Sequence, residues 1–220
     1  IKPERYIAST RQDYLPVWDR AGEQVAFISD RSGATEIWIQ EDLDHATKKL
    51  TSFNSEFRPE TLDWSINNQS IITSSINGSV KTVSLLGEIR DVILPEEMKA
   101  HHPFWGSAEN IIYFSSNYGG EWEIWKHDIS TPDNVPAQVT NSGAFAGKLS
   151  NNENELIYTK YYQDGVWKFN LDTGKEIQLL ETVAPGPRQQ WQLVNNSLYY
   201  AKSKLGILFL NEKDLESGVT

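Results

Sequence analysis

His101 and His102 form the adjacent pair among four histidines, so metal or acid–base chemistry is the first thing to test against them. Neighbouring residues of a strand point to opposite faces, so the pair does not present two ligands to one ion. His45 and His127 fall in other segments, whereas a zinc site needs three or four converging ligands. No metal site is expected, although an imidazole titrating near neutrality keeps a pH response open. The thirty Asp and Glu side chains scatter through turns, and no pair sits in the apolar setting that glycoside hydrolysis requires. No G-x-S-x-G, H-E-x-x-H or D-x-D-x-D-G occurs, which removes the usual serine elbow, zinc helix and calcium loop. With no cysteine, thiol nucleophiles, disulfides and thiolate metal sites are also excluded. These residues predict no catalytic residue and no cofactor, and a protein that is not an enzyme.

Charge points the same way. The 220 residues carry a formal charge of −10, and no Lys/Arg cluster offsets it, so no direct nucleic-acid contact is expected. No apolar run reaches 18 residues, the length a membrane helix needs. The opening IKPERYIAST lacks an initiator Met and the pattern of a signal peptide. It reads as a mature form or an excised segment.

What could position binding residues is a repeat. Anchors at Trp18, Trp64, Trp105, Leu149 and Trp191 are separated by 46, 41, 44 and 42 residues, a period that marks propeller blades. After each anchor comes a polar turn (DRAGEQ, SINNQS, GSAEN, SNNENE, VNN) and then an apolar strand (VAFIS, SIITSS, IIYFSS, LIYTK, SLYYA). A second turn ends at Gly33, Gly78, Gly120, Gly165 or Gly206. Another strand follows, and four units close on a last one (KKLTSF, IRDVIL, AQVTNS, EIQLLE). Asn77-Gly78 and Asp164-Gly165 are hairpin signals, and the strands are rich in β-branched and aromatic residues. Helical periodicity is confined to residues 91–100, which could make one brief turn. The chain is predicted to be all-β, a single β-propeller domain over 1–220 with about five four-stranded blades; a fragment of a six- to eight-bladed propeller is the alternative. The repeats run over approximately 11–53, 54–95, 96–141, 142–183 and 184–220. Residues 1–10 read as an outer strand that would complete the fifth blade and leave no exposed sheet edge. The anchor residues are expected to pack between neighbouring inner strands, and the Ile37-Trp38 and Ile124-Trp125 pairs between blades.

These landmarks resemble the TolB-type repeat of bacterial propellers. The matching positions are Pro16-Val17-Trp18, Ala26 to Gly33, Glu36-Ile37-Trp38 and Leu50-Thr51, echoed at Pro103-Phe104-Trp105, Tyr113 to Asn117, Glu123-Ile124-Trp125 and Val139-Thr140. A narrower stretch, GVWKFNLDTGKEIQLLETV followed by WQLVNNSLYYAKSKLGILFLN, resembles the periplasmic sensor domain of ToxR/CadC-like regulators, which are membrane-anchored winged-helix proteins. This resemblance implies an extracytoplasmic, periplasmic module of a transcriptional regulator. It would bind an envelope protein, peptide or small-molecule signal, and would meet the membrane only through a tether outside this sequence. A free periplasmic TolB-like interaction scaffold, or the accessory propeller of a larger peptidase or lyase, are the alternatives.

In a blade, the loop before the inner strand and the loop between strands two and three share one face. That face is expected to carry Arg11, Asp13, Tyr14, Glu56, Phe57, Arg58, His101 and His102 from the first loop type. The second brings Asp30, Arg31, Asn117, Tyr118, Tyr161, Tyr162 and Lys204. Aromatic and arginine side chains on a rigid scaffold give contact area at low entropic cost.

Overall fold

Each polar turn along the chain releases one short apolar strand, and the strands pair with their immediate sequence neighbours. The computed structural model describes residues 7, 9–41, 46–131, 133–183 and 190–216. Blade one comprises β1 (Asp13–Trp18), β2 (Val25–Ser29), β3 (Glu36–Gln40) and β4 (Lys48–Lys49). Blade two holds β5 (Asp63–Trp64), β6 (Ser70–Ser74), β7 (Val80–Ser84) and β8 (Ile89–Asp91). Blade three holds β9 (His101–Trp105), β10 (Ile111–Ser116), β11 (Glu123–Asp128) and β12 (Ala137–Gln138). Blade four holds β13 (Ala144–Leu149), β14 (Glu155–Lys160), β15 (Val166–Asn170) and β16 (Glu176–Leu180). Blade five has β17 (Trp191–Val194), β18 (Ser197–Lys204) and β19 (Ile207–Asp214). All are antiparallel meanders in chain order, the arrangement of a five-bladed β-propeller. The N-terminal outer strand expected at residues 1–10 falls largely outside the described residues. The brief helical turn expected within 91–100 is instead a tight turn closed by Met98 N–H donating to Pro95 O at 3.0 Å.

Two glycines are fixed by close approach. At Gly78 (φ +83°) a Cβ would lie 2.4 Å from Lys99 Cβ, and at Gly165 (φ +125°) it would lie 2.4 Å from the Leu180 carbonyl oxygen. Both also occupy the left-handed region that only glycine enters without strain.

A single blade cannot bury both of its faces, so the core lies between blades. Ile37 and Trp64 join blades one and two, Val80 and Trp105 blades two and three. Ile124 and Tyr158 join blades three and four, Ile157 and Trp191 blades four and five. Each such side chain stabilises by roughly 1.5–3 kcal/mol on burial. The Ile-Trp pairs obey strand alternation. Ile124 faces blade four while Trp125 packs back on blade two. Anchors bind the blade before them, as where the Trp64 indole donates to Val17 O at 2.9 Å. Trp18 departs from the expectation, being 43% exposed.

Two polar devices lock the blades. Glu36 and Glu123 open the third strands of blades one and three and are buried. Thr51 donates to Glu36 at 2.5 Å and accepts Ile37 N–H at 2.9 Å. Thr140 repeats this on Glu123 at 2.6 Å and on Ile124 at 2.9 Å. The same carboxylates accept Phe53 N–H (3.1 Å) and Gly143 N–H (2.9 Å), on the segments that lead into the next blade. This is what the Glu-Ile-Trp and Leu/Val-Thr elements of the repeat accomplish.

The second device is Asp63, buried on the inner strand of blade two. It accepts Trp105 N–H from blade three at 2.8 Å, is ion-paired to Lys148 of blade four, and faces Arg20 of blade one at 3.7 Å. Removing one partner of a buried pair leaves the other uncompensated, at about 3–5 kcal/mol. Asp63→Ala is expected to lower the unfolding free energy in urea by about 3 kcal/mol or more. Lys148→Ala should lower it less, because the carboxylate keeps its other donors. Equal small losses in both variants would refute the bridging role.

Candidate functional site

The inner strands bend at one repeated point. Leu15, His102 and Ala146 have φ of 52°, 47° and 49°, and each stands three residues before its blade's anchor. Strand register shifts at the same places, between Tyr14 and Val17, between Tyr113 and Ser115 opposite His102, and between Phe145 and Gly147. Non-glycine residues in this region each carry on the order of 1–3 kcal/mol of strain, and bulges of this kind re-aim side chains. In two blades a proline follows (Pro16, Pro103), a residue with no N–H to lose where the ladder is interrupted.

The residues before the three bends are Tyr14, His101 and Phe145. Tyr14, Glu60, His101 and Phe145 all stand four residues before an anchor. The first three, with Thr61, Ser74, Ser75 and His102, line a cavity of about 260 Å³. Thr61 and Ser74 hydroxyls lie 2.9 Å apart and Ser74 N–H donates to Thr61 Oγ1 at 3.0 Å. Burial, reinforced by Lys99, holds the His101 imidazole below its ordinary range. Burial, followed by the nearby His101 and Lys148, lowers His102 to about 4. Both rings are neutral at pH 7.

Phe145 extends the site into an aromatic platform. His102 meets Phe145 edge-on at 4.8 Å, and His101 meets Trp122 at 5.4 Å. Trp122 contacts Phe145 at 4.9 Å and stacks on Tyr161 at 5.0 Å with 19° between planes. Tyr162 closes the run edge-on to Tyr161 at 4.8 Å. Such ring pairs contribute about 0.5–1.5 kcal/mol beyond burial. The outer two stay available, with Tyr161 46% and Tyr162 79% exposed.

Of the residues read from the sequence as a loop face, the structure brings together Tyr14, His101, His102, Tyr161 and Tyr162. Asp13 and Arg31 are engaged with each other at 2.8 Å, and Arg31 also donates to Thr47 and lies over Phe27 and Trp38. Asp30 accepts Gln12 N–H at 3.1 Å, holding the turn beside them. Arg11 is exposed, with its N–H donating to Ser9 Oγ at 3.1 Å. Glu56 and Arg58 are exposed, but Phe57 between them is only 6% exposed and packs on Phe53 at 4.7 Å. Phe57, placed on the exposed face from sequence, is a buried residue, its ring lying against Phe53 and 5.1 Å beneath the Lys81 ammonium. Asn117 and Tyr118 form the turn of blade three, with Tyr118 edge-on to Trp125 at 6.0 Å. Lys204 ends β18 in blade five. Sequence reasoning missed Phe145, Glu60, Thr61, Ser74, Ser75 and Trp122. The repeat register carried a signal for the first two, since they share the offset of Tyr14 and His101.

His127 is buried and its ring nitrogen contacts Ile93 O at 3.1 Å, while His45 lies outside the described residues. Among the described residues, no three His, Asp or Glu side chains converge as metal ligands. The arrangement offers hydrogen-bonding groups in a recess and ring faces at its rim.

No protein-family profile and no curated protein sequence matches the chain. Among solved structures, TolB from Acinetobacter baumannii superposes with a TM-score of 0.76 at 17% identity, over 96% of this chain and 53% of that one. An oligogalacturonate lyase in complex with manganese gives 0.63 at 14% identity, over 97% and 72%. A putative TolB from Agrobacterium tumefaciens gives 0.59 at 15% identity, over 72% and 61%. The chain thus has the TolB-like propeller fold and spans about half the length of the Acinetobacter protein.

The neutral His102 makes stability pH-dependent. Its folded pKa of about 4 lies below the unfolded value of 6.5, so between these values the unfolded chain binds more protons and stability rises with pH. The contribution is complete above about pH 6.5 and is lost as pH falls toward 4, amounting to about 2 kcal/mol between pH 7 and 5. His102→Asn, which tolerates the positive φ, should remove that part of the slope in urea titrations at the two pH values. An unchanged slope would show that His102 is not the group responsible.

Proposed function

We propose that this propeller is a non-catalytic binding and sensing module, the extracytoplasmic part of a ToxR/CadC-like membrane-anchored transcriptional regulator. The observation that carries the binding reading is the continuous surface formed by the channel-mouth cavity and the Phe145–Trp122–Tyr161–Tyr162 platform. It combines a recess of polar groups with exposed aromatic rings, the composition that recognition sites favour. The regulator context rests on the resemblance of residues 165–211 to that group's sensor domains. The net charge of −10 suits a segment that leaves DNA contact to another part of the protein. The partner is an envelope protein, a peptide or a small-molecule signal, met in the periplasm, and the membrane is reached only through a tether outside this sequence.

Two other readings draw on the structural likenesses. A free periplasmic interaction scaffold is supported by the superposition on TolB, and an accessory propeller of a lyase or peptidase by that on the lyase.

The regulator reading is tested by transcript profiling of the host strain in three states: wild type, gene deletion, and a chromosomal Tyr162→Ala/Glu60→Gln variant. Deletion and variant should alter a shared set of transcripts. Unaltered transcripts on deletion would contradict the regulator, and a variant indistinguishable from wild type would contradict the chosen surface.

A further inference from the structure

We infer that the channel-mouth site takes a neutral oligosaccharide, one sugar unit seated in the cavity and the chain running outward past Phe145 and Trp122 to Tyr161 and Tyr162; this rests on the binding reading above. The inference follows from what the cavity can and cannot satisfy. Its walls supply the hydroxyls of Thr61, Ser74 and Ser75, the two imidazoles and the Glu60 carboxylate, and no lysine or arginine. A hydroxyl both donates and accepts, a neutral imidazole does one at each nitrogen, and a carboxylate only accepts. Among the described residues, no hydrogen bond or ion pair engages the Glu60 carboxylate.

An anionic ligand would meet Glu60 with no cation lining the recess, on a chain already at −10. The Thr61, Ser74 and Ser75 hydroxyls keep partners within the protein, but an apolar ligand would strip water from the Glu60 carboxylate and the two imidazoles, at about 1–3 kcal/mol each. A cationic ligand would find one carboxylate, Glu60, itself exposed to water, and no second anion lining the recess. What remains is an uncharged ligand that donates and accepts around its whole perimeter, which describes a sugar ring. Such a ring also has apolar C–H faces. Tyr162, 79% exposed at the open end of the platform, offers an aromatic surface for an outer unit. The cavity of about 260 Å³ holds about one ring, so the ligand must extend outward over the rim.

The test uses the whole chain with cellotriose, maltotriose and tri-N-acetylchitotriose as neutral probes. Trigalacturonate serves as the anionic comparator and a basic arginine-containing tripeptide as the cationic one. Binding is read by saturation-transfer NMR at millimolar ligand and by tryptophan fluorescence, to which Trp122 reports. At least one neutral series should bind in preference to both comparators. Tyr162→Ala and Glu60→Gln should each weaken it about tenfold, or about 1.4 kcal/mol, with thermal unfolding unchanged. No binding by any neutral series, or binding indifferent to both substitutions, overturns the inference. Binding of the peptide alone also overturns it and leaves the sensing module intact. If, in addition, the Tyr162→Ala/Glu60→Gln strain shows wild-type transcripts, the chosen surface and the oligosaccharide inference fail together.

Discussion

A carboxylate withdrawn from water must be matched by donors, and in this protein the donors are drawn from three blades other than its own. Asp63 sits on the inner strand of blade two, with Trp105 N–H of blade three, Lys148 of blade four and Arg20 of blade one gathered around it. The apolar clusters between blades are contacts of large area that tolerate small slides. A buried charge with a backbone N–H and an ammonium group does not tolerate them, because leaving it unpaired is expensive. The hub therefore fixes the angular order of the inner strands around the channel. The buried Glu36 and Glu123 do comparable work at the blade periphery. Each joins a threonine of its own blade to backbone N–H groups on the segment that starts the next.

The site inherits its geometry from these constraints. Glu123 accepts from Gly143 and Ala144 at the start of β13, and Phe145 follows immediately. The bend at Ala146 then turns the chain, and the Phe145 ring reaches His102, Trp122 and Tyr161. The platform is thus built from blades three and four, while the cavity draws on blades one, two and three. A surface assembled across four blades is rigid because the hub beneath it joins those same blades. Preorganisation of this kind lowers the entropic cost of ligand binding.

Much of the architecture was legible because repeats repeat their physics. Alternation, glycine turns and the anchor spacing located the blades, and the second turns fell where Gly33, Gly78, Gly120 and Gly165 reverse the chain. The polar locks were legible only as positions: Glu36 and Glu123 recur before Ile-Trp, and Thr51 and Thr140 recur in the Leu/Val-Thr element, without showing that they bond each other. Asp63 and Lys148 look like ordinary charged residues until the fold sets them against each other. Phe57 shows the opposite failure. Placed between Glu56 and Arg58 it reads as a loop aromatic, yet only the structure shows Phe53 and Lys81 closing over it. Among the residues of the candidate surface, those at fixed offsets from an anchor were recoverable from the repeat. Trp122 was not, since it lies in a turn whose length varies from blade to blade.

The central claim is that one buried carboxylate holds the inner strands that carry the binding face. Native-state amide exchange at Trp105, whose N–H donates to the Asp63 side chain, addresses this directly. In the wild type this amide should exchange only through the global opening that also exposes the β10–β11 ladder. In Asp63→Asn, protection should fall together at Trp105 and along β13, while the β18–β19 hairpin of blade five keeps its rates. Fast local exchange of Trp105 in the wild type, or unchanged protection of Trp105 and β13 in the variant, would contradict the account.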